Sequence, residues 1–336
     1  MQTTLATFIA QELGKGVEII EFQRLVGGSS CDVYRFEARI DGEAAARELV
    51  LRIDRPGKAI EGDRREEFEL IAAAARAGVT VPEVYWSGGP EAGMGGTFFI
   101  MERIRGESLG RRLLRDERFE QTRRRLPARL ARELARLHAI DLDDPKLSFL
   151  LARAPSGDDR RFALAAVDYW KGFLDAVAAS QPRPLLELTA RWLSQQAPPL
   201  RQPALVHGDF RVGNFMFDEE GLKAVLDWEL AHLGDPMEDL GWLMVRSWRF
   251  GKDELAVGGL CSREQFYSMY ADESGVEVDP ETVRYWEVFG NWKWAIICIG
   301  QAMSHKAGAY PNVELAAIGR RVPEVELEIL ELLERP

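Results

Sequence analysis

The chain has 336 residues, 46% of them hydrophobic, and a formal net charge of −11. Such a length suits about two domains at roughly 100–200 residues each, and this apolar content suits packed cores rather than disorder. The negative balance excludes a sequence-independent nucleic-acid binder, which needs many phosphate-neutralising cations. The charge is unevenly spread, because residues 101–140 hold 12 Arg against 6 Asp or Glu. Cys31, Cys261 and Cys298 lie far apart with no CxxC spacing, as free thiols of a reducing compartment do. The opening MQTTLATFIAQELG has no basic region leading into an apolar run, and no stretch is long enough to span a bilayer. The expectation is a cytoplasmic protein without a membrane partner.

In chain order, residues 1–14 predict an amphipathic helix with Leu5, Phe8, Ile9 and Leu13 on its apolar face. Strand-like runs follow at Val17–Leu25, Val33–Ile40 and Glu48–Ile53, with Gly27-Gly28-Ser29-Ser30 between the first two and a turn at Asp41-Gly42. Asp63 to Ala77 has helical periodicity and stops at Gly78. Val81–Trp86 and Thr97–Glu102 read as two further strands. From Leu109 the pattern turns helical, as in Arg123–Ala139 with Leu126, Leu130, Leu134 and Leu137 along one face. Pro198-Pro199 and Pro203 interrupt it, and short strands are expected at Ala204–Val206, Phe215–Phe217 and Lys223–Leu226 before helices resume from Glu238. The expected class is α+β. A small antiparallel β-sheet lobe with one helix over 1–104 precedes a larger, mainly helical lobe over 105–336.

The chemistry concentrates in LVHGDFRVGNFMFD and the AVLDWE that follows. Asp209 sits on an irregular loop after an apolar strand, Asn214 comes five residues later, and Asp227 ends another apolar strand. Two oxygen ligands plus a separate carboxylate fit a phosphoryl-transfer centre. Mg²⁺ uses one or two protein oxygens and fills its shell with phosphates and water. The third carboxylate can accept the proton of an attacking hydroxyl. Upstream, Gly27, Gly28, Ser29 and Ser30 would let backbone N–H groups approach ATP phosphates without obstruction by Cβ atoms.

HGD-F-RVG-N followed by LDWE resembles the catalytic and metal-binding loops of the aminoglycoside phosphotransferase and choline kinase-like family, a branch of the bilobal protein-kinase-like fold. GDPMEDLGWL over 234–243 resembles that family's extension. The resemblance implies an ATP- and Mg²⁺-dependent small-molecule kinase with Asp209 as catalytic base and Asn214 and Asp227 as metal ligands. It places Glu229 at the metal or at a water beside it, and makes His207 and Asp239 braces of the catalytic loop. The backbone of Glu102 and Ile104 is expected to meet the adenine.

Where such kinases carry a phosphate-contacting lysine on the third strand, LVLRID offers Arg52. Arginine supplies a permanent charge and a planar donor fork of different reach. The branch resembling the kinase-like domain of acyl-CoA-dehydrogenase fusion proteins also carries arginine there. Arg52 is read as the nucleotide clamp and Glu67 as its ion-pair partner, with Glu66 and Glu69 competing. The acceptor stays open between a hydroxyacyl-CoA type, implied by that branch, and an aminoglycoside or amino alcohol; the Arg-rich 103–136 segment reads either as a solvated helix face or as a contact surface for an anionic acceptor such as a CoA thioester. A nucleotide-binding regulator without activity is the reading that Arg52 itself suggests. His232 and His305 have no nameable partner in the sequence, and the oligomeric state is not legible.

Overall fold

The computed structural model describes residues 1–25, 31–54, 63–178, 181–200, 202–308 and 312–334. The expectation for Gly27, Gly28, Ser29 and Ser30 lies outside the described residues.

The first hundred residues build a five-stranded antiparallel sheet in the order β1 (Val17–Leu25), β2 (Cys31–Ile40), β3 (Arg47–Asp54), β5 (Phe98–Glu102), β4 (Val84–Gly88). Helix α1 (Gln2–Leu13) closes one face through buried Leu5 and Ile9, and Gly14 ends it in the left-handed region at φ 64°. Helix α2 (Arg64–Arg76) covers the other face, started by Asp63, whose carboxylate accepts from the Arg65 N–H.

Strand β3 is central, and its side chains alternate between the two faces. Leu49, Leu51 and Ile53 join the α1 core, whereas Val50 joins the larger core with Leu70 and Ile71 of α2. This two-residue period puts Arg52 on the α2 face, beneath the helix that carries Glu67. The sequence reading began β4 at Val81, but pairing starts at Val84.

Beyond Glu102 the chain is mainly helical. Helix α4 (Glu120–His138) buries Leu126, Leu130, Leu134 and Leu137 as its spacing predicts. Helices α5 (Ser148–Ala152), α6 (Arg161–Ala178) and α7 (Pro184–Gln196) follow. The 27-residue helix α10 (Pro280–Lys306) is buried along most of its length and packs against α6, α7 and α8 (Met237–Met244). Two short ribbons interrupt the helices. β6 (Ala204–Val206) pairs with β9 (His232–Gly234), and β7 (Phe215–Phe217) pairs with β8 (Leu222–Val225), both antiparallel. The sequence reading missed β9, which is three residues long and carries His and Gly. Together the ribbons hold 207–214 and 226–231 back to back. Among the described residues no helix is long and apolar enough to cross a membrane.

Candidate active site

The loop between β6 and β7 is built around buried groups. Gly208 adopts φ 74°, and a Cβ there would lie 2.4 Å from the Leu230 carbonyl oxygen. Only glycine lets the two loops approach so closely. His207 is fully buried; its Nδ1 accepts from the Asp209 N–H at 3.1 Å and its Nε2 donates to the Leu226 carbonyl at 3.1 Å. Both bonds require the neutral ring, and burial holds its pKa below the ordinary histidine value.

Asp239, at 0% exposure, accepts from the backbone N–H of His207 at 2.8 Å and of Gly208 at 2.9 Å. His138 Nε2 donates to the same carboxylate at 3.2 Å. Burial raises its pKa, but the His138 hydrogen bond and the neighbouring histidines outweigh that and hold it below the usual range. On the opposite side, Lys293, 2% exposed, donates from Nζ to the Gly208 carbonyl at 2.8 Å. Every polar backbone atom of Gly208 is thereby held by a buried charge.

The Asp209 carboxylate emerges from this support into the cleft. Its Oδ2 accepts from the Asn214 amide at 2.5 Å. Its Oδ1 accepts from Trp242 Nε1 at 2.8 Å and from Arg211 Nε at 2.9 Å. Arg211 and Lys293 were missed in the sequence, and Trp242 was read there only as one of the tryptophans of the helical lobe, not as a donor to Asp209. Arg211 falls among the unspecified positions between Asp209 and Asn214, Trp242 sits in an apolar LGWL run, and Lys293 comes from a distant helix.

Asp227, with φ 62° in the left-handed region, points a half-exposed carboxylate toward the sheet. Arg52 Nη1 donates to its Oδ1 at 2.8 Å. Partial burial raises the Asp227 pKa, and Arg52 more than reverses this, leaving it below the ordinary carboxylate value. Arg52 also faces Glu67 at 3.5 Å and Glu229 at 3.9 Å. Glu66 instead pairs with Arg153 at 2.7 Å, and Glu69 with Lys146 at 3.3 Å. A second buried arginine, Arg64, which the sequence reading did not single out, bonds Glu67, Asp54 at 2.9 Å and Glu229 at 3.4 Å. Glu229 therefore lies among the arginines.

The residues present fit a hard divalent cation. Asn214 spends its amide nitrogen on Asp209, and no protein group donates to its side-chain oxygen or to Asp227 Oδ2 among the described residues. Two uncommitted oxygens of this kind suit Mg²⁺. At the end of β5, the Glu102 N–H is taken by the Glu83 carbonyl at 2.7 Å. That N–H is thus committed within the sheet. The two histidines thought partnerless also have partners. His232 donates to the Leu230 carbonyl at 2.9 Å and to Glu238 at 3.1 Å, and His305 Nδ1 accepts from the Asn312 N–H at 3.0 Å.

A cavity of about 340 Å³ opens under α2, walled by Leu70, Phe162, Trp170, Trp228, Trp286 and Phe289. Lys293 and Glu229 also line it, so it borders both the support of Asp209 and the arginine cluster, while Asp209, Asn214, Asp227 and Arg52 themselves lie outside its walls. The Arg-rich segment is not a free cationic face. Arg103, Arg105, Arg112, Arg118, Arg124, Arg129 and Arg132 pair with carboxylates, while Arg115, Arg123 and Arg136 donate to backbone carbonyls.

A model of the phosphotransferase enzyme family matches residues 21–280. Among curated proteins, acyl-CoA dehydrogenase family member 11 of Gallus gallus is 28% identical over 286 residues, 80% of this chain and 35% of that one. Family member 10 of Mus musculus is 28% identical over 249 residues, 69% of this chain and 22% of that one. The chain thus spans about a third of the length of these relatives or less. Among solved structures, a Ralstonia eutropha protein classed as an aminoglycoside phosphotransferase superposes with a TM-score of 0.75 at 24% identity, covering 99% of this chain and 98% of the other. The aminoglycoside phosphotransferase APH(2″)-IIa, solved with streptomycin and ATP, gives 0.60 at 19% identity, covering 90% and 95%. These likenesses show the bilobal protein-kinase-like fold. With its family model extending over most of the sequence, the chain belongs to the phosphotransferase enzyme family.

Proposed function

We propose that the chain transfers the γ-phosphoryl group of ATP to an alcohol hydroxyl of a small molecule. Residues 1–104 would hold the nucleotide, and residues 105–336 would supply the base and the acceptor site. The observation that carries this is the meeting of Asp209, Asn214 and Asp227 on two loops fixed to each other through His207 and Gly208. In this reading Asp209 accepts the hydroxyl proton, Arg52 clamps phosphate oxygens, and Glu67 holds Arg52. The Glu102 carbonyl and Ile104 N–H meet the adenine, and Gly27, Gly28, Ser29 and Ser30 lie along the phosphates. Asn214 and Asp227 would hold Mg²⁺, which when bound offsets the negative charge of the phosphates.

The cavity under α2 is the proposed acceptor site, and its walls favour an alcohol with an apolar body, such as a hydroxyacyl-CoA-type compound entering acyl end first. Most of its carboxylates are already partnered: Glu66 by Arg153, Glu67 and Glu229 by Arg64, and Glu238 by His232 and Lys293; the exposed Asp63, which also lines it, caps α2. A polycationic aminoglycoside would find a single carboxylate without an ion-pair partner there among the described residues, Asp63, too few to match several ammonium groups. The match to acyl-CoA dehydrogenase family members 10 and 11 supports the same choice. One observation favours a second reading, a nucleotide-binding regulator: Arg52 engages the metal-ligand candidate Asp227 directly at 2.8 Å.

The test is an ATP-consumption screen with hydroxyacyl-CoA thioesters, aminoglycosides, choline-like amino alcohols and sugars in parallel. Turnover on the thioesters that is lost in both Asp209→Asn and Asp227→Asn is expected. Turnover on aminoglycosides alone would overturn the acceptor assignment, and full turnover by Asp209→Asn would overturn the base.

A further inference from the structure

Arg211 is held on three sides, yet among the described residues only one of its three guanidinium nitrogens has a hydrogen-bond partner. Its Nε donates to Asp209 Oδ1 at 2.9 Å, and its guanidinium carbon lies 4.5 Å from the centroid of the Trp248 ring. Trp248 is itself fixed, donating from Nε1 to the Trp242 carbonyl at 2.8 Å, and Trp242 donates to the same oxygen of Asp209 at 2.8 Å. The four residues form a closed circuit: Asp209, Arg211, Trp248, Trp242 and back to Asp209. Gly213 completes the seat, since a Cβ there would lie 2.6 Å from Arg211 Nη1.

Neither Nη atom of Arg211 bonds the protein among the described residues. An arginine serving only to orient a carboxylate would ordinarily close on it with both prongs of its fork. Here one prong is spent on the base, and the plane is set by an indole that is 3% exposed. Arg211 keeps partial access to solvent, and its charge also lowers the pKa of Asp227. It therefore stands in the field between the base and the metal-ligand candidate, with donors to spare.

We infer that Arg211 is a catalytic residue whose free Nη groups bind the γ-phosphate of ATP and follow that group through transfer. The inference rests on the kinase reading above. In the step, the acceptor oxygen forms a bond to Pγ and the bond from Pγ to the β,γ-bridging oxygen breaks, its electron pair leaving with ADP. The hydroxyl proton passes to Asp209. A guanidinium already fixed before reaction stabilises charge on the equatorial oxygens without reorganising. The Trp242–Trp248 pair acts as a positioning platform.

The test needs no acceptor. Binding of Mg·ADP and of Mg·AMP-PNP to the full chain is measured by titration calorimetry, alongside Arg211→Gln and Arg211→Lys, with thermal melts of each. Arg211→Gln is expected to weaken AMP-PNP about tenfold, corresponding to about 1.4 kcal/mol, with ADP affinity within twofold of wild type. Arg211→Lys, retaining the charge, should recover most of the AMP-PNP loss. Equal weakening of both nucleotides, or of neither, would overturn the assignment and leave Arg211 as a brace of Asp209. A wild-type chain that binds neither nucleotide would instead overturn the kinase reading itself, and this role with it.

Discussion

Arg52 and Asp227 are 175 residues apart in sequence and 2.8 Å apart in space, joined across the boundary between the sheet and the helical part of the chain. Arg52 also counters Glu67, which is only 4% exposed. Removing Arg52 leaves Glu67 with Arg64 as its remaining partner, so the cost should stay below the roughly 3–5 kcal/mol of a buried carboxylate left wholly unpaired. Arg52→Met is expected to lower unfolding stability by less than that amount, read by urea denaturation. Arg52→Lys should lose less stability while weakening Mg·ATP, because one ammonium cannot present a planar fork.

Asp239→Asn addresses the support of the loop. An amide presents one acceptor oxygen where the carboxylate presents two, so the bond from either His207 or Gly208 must be lost. A buried N–H left unmatched costs about 1–3 kcal/mol. The expected result is a lower melting temperature and greatly reduced turnover. Wild-type stability and turnover in this variant would show that the loop is held by other means.

Gly208→Ala forces a methyl group to within 2.4 Å of the Leu230 carbonyl, at a backbone angle of φ 74° that side chains rarely adopt. The loops must separate to admit it. Loss of turnover with a secondary-structure content like wild type is expected, measured by circular dichroism and the ATP-consumption assay.

The pH dependence has two opposed contributions. His207 has a depressed pKa, so the unfolded chain takes up its proton first, and stability falls as pH drops below about 6.5. Burial lowers the His232 pKa, but Glu238 beside it more than reverses this and raises it overall. Its contribution is fully present below about pH 6.5 and is lost as pH rises through the folded value. His232→Gln should therefore lower the melting temperature by a near-constant amount below about pH 6.5, with the difference from wild type fading as pH rises above that value. A variant that melts with wild type below about pH 6.5 would show that the Glu238 pair does not contribute.

Much of this arrangement was legible in the sequence. Strand-like runs bounded by turn signals placed the five strands of the sheet, with Arg52 on the third. Apolar spacing drew α4 to within a few residues. The polar residues Asp209, Asn214 and Asp227 announced themselves because carboxylates and amides at strand ends need a reason to be there. Groups that act from a distance stayed hidden. Lys293 reads as one lysine in a tryptophan-rich helix, and only α10 packing beneath the loop brings its ammonium to Gly208. Trp242 and Trp248 carry no local signal beyond hydrophobicity. β9 escaped because three residues offer too little periodicity to register.

The stretch from α5 to α7 supplies Phe149, Phe162 and Trp170 to the cavity wall, yet it contributes none of the hydrogen bonds that hold Asp209, Asn214 or Asp227. Under the proposed acceptor assignment, selectivity and phosphoryl chemistry are written in separate passages of the chain. Natural variation can then rework what enters the cavity while the reacting groups stay as they are. Exchange of 145–196 between relatives becomes a practical route to new acceptors.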